Sequence, residues 1–146
     1  TAFIGYSAVL ISSTIGEKSK LTSIDSDSHS IEIAKELINF AGLDDKVNFM
    51  HGNAEEIIPE LNFNADFVFI DHAKKKYLSD LKLLETEEII LKNCIVFADN
   101  VGIFKDEMAE YFDHVRNSGK YQSQNFSSKL EYRNNIYDAV EISIKN

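Results

Sequence analysis

An α/β fold built on a doubly wound, mostly parallel sheet is predicted by three features of the sequence. Short apolar runs without polar alternation recur between stretches of helical periodicity, the pattern of strands buried on both faces of a parallel sheet. Asn64 to Val101 then reads strand, helix, strand: Phe67-Val68-Phe69-Ile70, a helix from Lys75 to about Glu87 with Tyr77, Leu78, Leu81 and Leu84 at helical spacing, and Cys94-Ile95-Val96-Phe97-Ala98. A right-handed crossover makes these two strands parallel and ends both at one sheet edge. Finally, the last two strand-like segments have no helix between them and should pair antiparallel.

Each element has a local reason. Gly5 leads into an apolar helix from Tyr6 to about Ile15 that Gly16 stops. Glycine before such a helix either lets backbone approach a phosphate or cofactor or simply starts the helix. Lys20 to Ile24 reads as a strand ending at Asp25, 20 residues after Gly5. An acid at that place in a βαβ unit either accepts hydrogen bonds from ribose hydroxyls or begins a turn. Ser28 is expected to cap a helix over His29 to Ala41, with Ile33, Leu37, Ile38 and Ala41 on one face and Gly42 as its stop. Val47 to His51 is the next strand. Asn53 and Glu56 have capping-box spacing, and Pro59 limits the short helix that follows.

After Asn100 the pattern predicts a helix from about Asp106 to Asn117 with Met108, Phe112 and Val115 inward, ended by Ser118-Gly119. Strands follow at Tyr121 to Phe126 and at Asp138 to Lys145. The latter carries Val140, Ile142 and Ile144 on one face and Glu141, Ser143 and Lys145 on the other.

The crossover has a chemical consequence. It brings Asp71, Asp99 and Asn100, 28 or 29 positions apart, to one edge. Three hard oxygen donors beside a crevice suit Mg²⁺. The same residues also start turns and cap helices in proteins without a metal. Lys74 stands beside them, readable as a base or as one of three solvated lysines with Lys75 and Lys76.

Composition excludes several classes. A net charge of −9 argues against a nucleic-acid partner, and 44% hydrophobic with 27% charged residues fits a soluble globular chain. At 146 residues one domain, residues 1–146, is expected. Cys94, alone and inside a strand, should be an inert buried thiol. No apolar run reaches the roughly 18 residues that span a bilayer. Asn125-Phe126-Ser127 matches a glycosylation sequon without secretory context. The four histidines show no metal-ligand spacing, and neither a nucleophile elbow nor a phosphate-loop lysine occurs. The chain begins at Thr1 and is expected to be a fragment of a longer protein, so an anchor upstream lies outside what it can show.

The residues then take on a family pattern. Asp71-His72-x-Lys74-x-x-Tyr77-Leu78 followed by Ala98-Asp99-Asn100-Val101 resembles the catechol O-methyltransferase family. So do Gly5-Tyr6-Ser7-Ala8-Val9, Asn39-Phe40-Ala41-Gly42-Leu43-x-Asp45-Lys46-Val47, Ile58-Pro59-x-Leu61 and Leu130-Glu131-Tyr132. The resemblance implies a class I, Rossmann-like S-adenosylmethionine methyltransferase with a C-terminal antiparallel strand pair, incomplete at its N-terminus. The family's opening helices and first central strand are missing from this chain, so these residues alone are not expected to form a stable, active enzyme.

It also implies roles. Asp71, Asp99 and Asn100 would hold Mg²⁺. Lys74 would be the general base on the reacting catechol hydroxyl, and Glu131 would hydrogen-bond its neighbour. Asp25 would take the ribose, Ser7 the methionine end, and Ala54, Glu55 and His72 the adenine. Gly5, Tyr6, Ser26 and Asp71 complete the cofactor-binding set. The expected enzyme is a cytoplasmic monomer that methylates a small catechol-type substrate, as in catecholamine metabolism. A caffeoyl-CoA-type O-methyltransferase and a non-catalytic methyltransferase-fold binding module are the alternatives.

The departures bear on substrate and cofactor. Thr1 replaces a glycine of the family's turn, and Asp25 replaces a glutamate. Ala73 replaces a tryptophan that packs on adenine. Gly102-Ile103-Phe104 lacks the proline of the substrate wall, and Lys75 and Lys76 alter the charge after the base.

Overall fold

The computed structural model describes residues 4–130 and 133–146, with side chains at 4–129 and 135–146. The chain forms two compact units, residues 1–60 and 61–146. The predicted sheet is present as two pieces, one in each unit.

In the first unit, α1 (Tyr6–Thr14) starts at Gly5, whose φ of 87° lies in the left-handed region that favours glycine. A Cβ at Gly5 would also lie 2.9 Å from the Ala34 Cα, so glycine is required there by packing as well as by conformation. The strand β1 (Leu21–Asp25) pairs in parallel with β2 (Val47–His51), Leu21 opposite Val47 and Asp25 opposite His51. Lys46, just before β2, donates to the carbonyls of Ser12 and Ile15. The carboxyl end of α1 therefore lies where the strands begin, and its amino end lies toward the edge where they finish.

Between the strands runs α2 (Ser28–Phe40), and here two expectations are corrected. The cap is Asp27, not Ser28: its carboxylate accepts from the His29 backbone N–H and the Ser30 hydroxyl. The buried stripe is Ile31, Ala34 and Ile38, while Ile33 and Ala41 are exposed. Ala34 is buried because the Gly5 backbone needs a small neighbour, a contact that hydrophobic periodicity does not announce. Gly42 takes the left-handed conformation expected of a helix stop. The helix α3 (Ala54–Ile57) has the predicted capping box between Asn53 and Glu56, and the chain tightens to a 3₁₀ turn over Ile58–Glu60 around Pro59.

The second unit has a four-stranded sheet. Its strands are β3 (Ala65–Ile70), β4 (Ile90–Ala98), β5 (Tyr121–Leu130) and β6 (Arg133–Lys145). They lie in the order β3-β4-β6-β5. The pair β3/β4 is parallel, as the crossover requires, while β4/β6 and β6/β5 are antiparallel. The helices α4 (Tyr77–Thr86) and α5 (Ala109–Asn117) pack on one face of this sheet, over Cys94, Val96 and Ala98. Cys94 is a free, buried thiol, as expected, and burial pushes its pKa up to about 11.

The expectation of strands buried on both faces is corrected within this unit. On the face away from α4 and α5, Phe67 and Ile95 remain 45% and 37% exposed. In α5 the inward aromatic is Tyr111, packed edge-on against Tyr77 at 5.9 Å, and not Phe112. Phe112 is half-buried under the Arg116 guanidinium, 4.1 Å from its ring centre. On β6 the buried row is the polar one, Glu141 and Ser143, and Ile144 faces out.

A second polar cluster joins α4, α5 and β5. The Glu85 carboxylate accepts from His114 and Tyr121 at 2.7 Å and from Lys120 at 2.6 Å. Burial raises its pKa, but those donors outweigh burial and hold it at about 2. An acid with a depressed folded pKa stabilises above its unfolded pKa and loses that contribution as pH falls through the folded value. We expect Glu85→Gln to flatten the fall in stability between about pH 4.5 and 2. The effect should be on the order of 2 kcal/mol, discounted because Lys120 is half-exposed. Urea melts of both proteins across that range check it, and parallel pH curves would contradict it.

Candidate active site

The second unit concentrates reactive groups where β3 and β4 end. Ile70 pairs with Ala98, and the Asp99 N–H donates to the Ile70 carbonyl at 3.1 Å. Asp71, Asp99 and Asn100 therefore start from adjacent strand ends, as the crossover argument requires. Asn100 has a φ of 53°, a left-handed conformation that asparagine tolerates better than most residues. This turn lets the Asp99 carboxylate accept from the Asn100 backbone N–H at 2.8 Å.

Lys74 is unlike its neighbours. Lys75 and Lys76 are exposed, whereas the Lys74 side chain is only 10% exposed. Its ammonium nitrogen lies 2.6 Å from the Tyr77 hydroxyl, 3.7 Å from the Asp71 carboxylate and 5.7 Å from the Phe104 ring centre. The Tyr77 hydroxyl donates to the Asp99 carbonyl at 3.1 Å, so it accepts from Lys74. Burial lowers the Lys74 pKa, against the opposing charges of Asp71, Asp99 and Asp138. A solvated lysine is thus excluded at position 74.

The donor set suits a hard divalent cation. Burial raises the Asp99 pKa, and the like charges of Asp71 and Asp138 raise it further, against the Asn100 N–H and Lys74. A cation at this edge would relieve that crowding. The candidate donors are two carboxylates, Asp71 and Asp99, and one amide, Asn100, and among the described residues no group of three or more His, Cys, Asp or Glu side chains is placed to hold a metal ion. Oxygen donors of this kind select Mg²⁺ or Ca²⁺ over softer metals.

Three neighbours of the candidate site are given no role by the sequence. Tyr77 reads there as an apolar helix position and as part of the family motif, with no role attached to its hydroxyl. Asp80 accepts from His72 Nε2 at 2.7 Å and lies buried on the same helical stripe as Tyr77 and Leu81. An acid inside an apolar stripe was the available signal. Asp138 accepts four hydrogen bonds from the loop after β4 and from its own neighbour. Burial alone would raise its pKa, yet these donors hold it below the usual carboxylate range.

The remaining site residues divide between the units. Asp71 and His72 belong to the second, where His72 also stacks on Tyr77 at 5.2 Å. Gly5, Tyr6, Ser7, Asp25, Ser26, Ala54 and Glu55 belong to the first. There Asp25 ends β1, buried, with its carboxylate accepting from the Asp27 N–H at 2.9 Å. The Gly52 N–H donates to the Asp25 carbonyl, tying the start of the loop into α3 to that strand end. Ser26 and Glu55 are exposed, Ser7 and Ala54 half-buried, and Tyr6 largely exposed. Glu131 and Thr1 lie outside the described residues.

Comparison with known proteins shows what the chain is similar to. The family model for O-methyltransferase matches residues 1–144. Catechol O-methyltransferase of Sus scrofa is 34% identical over 98% of this chain and 78% of that protein. Catechol O-methyltransferase B of Danio rerio is also 34% identical, over 97% of this chain and 54% of its own length. The chain thus spans about half of several curated relatives and rather more of the pig protein. The O-methyltransferase TomG of Streptomyces achromogenes, solved in complex with SAM, superposes with a TM-score of 0.88 at 17% identity, over 99% of this chain and 70% of its own.

Proposed function

We propose the following for this chain, which belongs to the O-methyltransferase family: it is the part of a Mg²⁺-dependent enzyme that moves the methyl of S-adenosylmethionine to a catechol-type hydroxyl. The observation that carries the proposal is Lys74, a buried amine with a lowered pKa beside the carboxylates of Asp71 and Asp99. The single family match through both units supports reading residues 1–146 as parts of one methyltransferase domain.

Each group has a task within reach of its chemistry. Asp71, Asp99 and the Asn100 amide oxygen would hold Mg²⁺. When bound, that ion supplies positive charge that favours the ionised form of a catechol hydroxyl. S-adenosylmethionine would supply the methyl, and its transfer to the catechol oxygen would leave the electron pair of the broken S–C bond on sulfur. Lys74, in its unprotonated form, would take the hydroxyl proton on Nζ and return it to water after product leaves, and the lowering of its pKa by burial favours that form. Tyr77 holds that nitrogen in place through a 2.6 Å hydrogen bond. Glu131 would hydrogen-bond the second catechol hydroxyl. Asp25 with Ser26 would take the ribose, Gly5 with Tyr6 and Ser7 the methionine end. Ala54 and Glu55 would surround the adenine with His72, whose ring Asp80 orients.

The net charge of −9 disfavours a nucleic-acid substrate and leaves a small molecule as the acceptor. No helix among the described residues is long and apolar enough to cross a membrane. The test is calorimetry on the intact protein. We expect S-adenosylmethionine to bind, and a dinitrocatechol to bind only with Mg²⁺ present. A folded protein that binds no cofactor would instead be a non-catalytic binding module.

A further inference from the structure

We infer that Asp138 is a positioning residue that orients the Asn100 side chain, turning its amide oxygen outward as a cation ligand. The inference rests on the reading of Asp71, Asp99 and Asn100 as the metal-binding set. It adds a residue 38 positions away from Asn100 that has no direct part in that set.

The geometry carries it in two steps. One Asp138 oxygen accepts from the backbone N–H groups of Gly102 at 3.1 Å, Ile103 at 3.2 Å and Ala139 at 2.7 Å. The other accepts from the Asn100 side-chain nitrogen at 2.7 Å. Asp138 is only 7% exposed, so these bonds are shielded from water. A carboxylate has no proton to donate, so the Asn100 amide must present its NH₂ to Asp138. Because the amide is planar, its oxygen then points the other way. An isolated asparagine has no such preference, since its two ends are nearly equal in shape.

The loop around Asn100 is fixed independently. The Val101 N–H donates to the Ala139 carbonyl at 2.9 Å, continuing the β4/β6 pairing beyond the end of β4. A Cβ at Gly102 would lie 2.5 Å from the Ala139 nitrogen and 2.7 Å from the Asp138 carbonyl carbon. Only glycine lets the loop lie this close to β6, and the close approach puts the Gly102 and Ile103 N–H groups on Asp138.

Asp138→Asn separates orientation from mere support. The single carbonyl oxygen of the new amide will keep the three backbone donors, leaving its NH₂ toward Asn100. Asn100 must then turn its own oxygen to that NH₂ and its nitrogen to the cation. We expect Asp138→Asn to weaken divalent-ion affinity about 10–100-fold, the usual cost of losing a partner that orients a ligand. The double variant Asp138→Asn/Asn100→Asp exchanges the two side chains and keeps the parent's net charge. The carboxylate now at position 100 accepts from the NH₂ introduced at position 138 and offers its second oxygen to the ion. Affinity should therefore return to within a few-fold of the parent, about the spread expected of such substitutions.

Mn²⁺ titration of the intact protein, read by electron paramagnetic resonance of the free ion and without substrate, measures both variants. Thermal melts run beside it show whether each is folded. Should Asp138→Asn alone fail to fold, the double variant still decides: Mn²⁺ binding near the parent level supports the inference, and folded protein without binding overturns it. Equal Mn²⁺ affinity in the parent and folded Asp138→Asn overturns this inference and leaves the metal reading intact. Absence of Mn²⁺ binding by the parent sinks the metal reading and this inference with it.

Discussion

Asp99→Ala is expected to lower kcat/KM for a catechol by more than about 10⁴-fold, and Lys74→Ala by less. Asp99 is the better-placed of the two carboxylates: it follows β4 directly, its N–H is bonded to Ile70, and its carboxylate receives the Asn100 N–H. Its carbonyl also receives the Tyr77 hydroxyl that holds Lys74. On the proposed reading, losing the side chain removes a metal ligand and the charge beside it, and with them the positioning of both reacting oxygens. Positioning can supply roughly 7–11 kcal/mol of a barrier. A general base typically contributes about 10²–10⁴-fold, and solvent can replace part of it once the hydroxyl is acidified. Steady-state kinetics on a panel of catechols measure the ranking. Equal losses for the two variants would show that proton removal limits the rate as much as positioning does.

The largest effect on stability is expected at Arg116. Its guanidinium makes two parallel 2.7 Å hydrogen bonds to the Glu141 carboxylate, which is fully buried. Ser123 and Asn125 complete the shell at 2.7 and 2.9 Å. Burial raises the Glu141 pKa, and these partners, Arg116 first, bring it below its usual value. Arg116→Met keeps a stem to pack on Phe112 but leaves the buried carboxylate with two neutral donors. Breaking a buried pair from one side costs about 3–5 kcal/mol. We expect about 3 kcal/mol here because Ser123 and Asn125 remain, a fall in Tm of roughly 10 °C. A loss under about 1 kcal/mol in denaturant melts would mean the pair is no better than its replacement.

These two sites differ in how far the sequence reveals them. The edge bearing Asp71, Asp99 and Asn100 is legible because a crossover fixes strand direction, and direction fixes which residues share an end. Capping by Asn53 and Glu56 and the stop at Gly42 are legible because their chemistry is local. Lys74 is different: spacing leaves it in a run of three lysines, the family resemblance singles it out, and the Tyr77 hydroxyl, Asp71 carboxylate and Phe104 ring around it give the physical reason. Asp138 is hidden because its partners come from a loop 35 to 38 residues upstream. Alternation on β6 identifies two faces but cannot say which is buried, and Arg116 on α5 makes it the polar one. On α2, the Gly5 backbone selects Ala34 where periodicity favours larger neighbours.

Methyl transfer itself is the most direct test of the proposed reaction. The intact protein is incubated with methyl-labelled S-adenosylmethionine and a catechol, with Mg²⁺, after chelation, and after Mg²⁺ is restored. The proposal predicts a singly O-methylated catechol that disappears on chelation and returns with the metal. No labelled product from a folded protein, or transfer that chelation leaves unchanged, would contradict it.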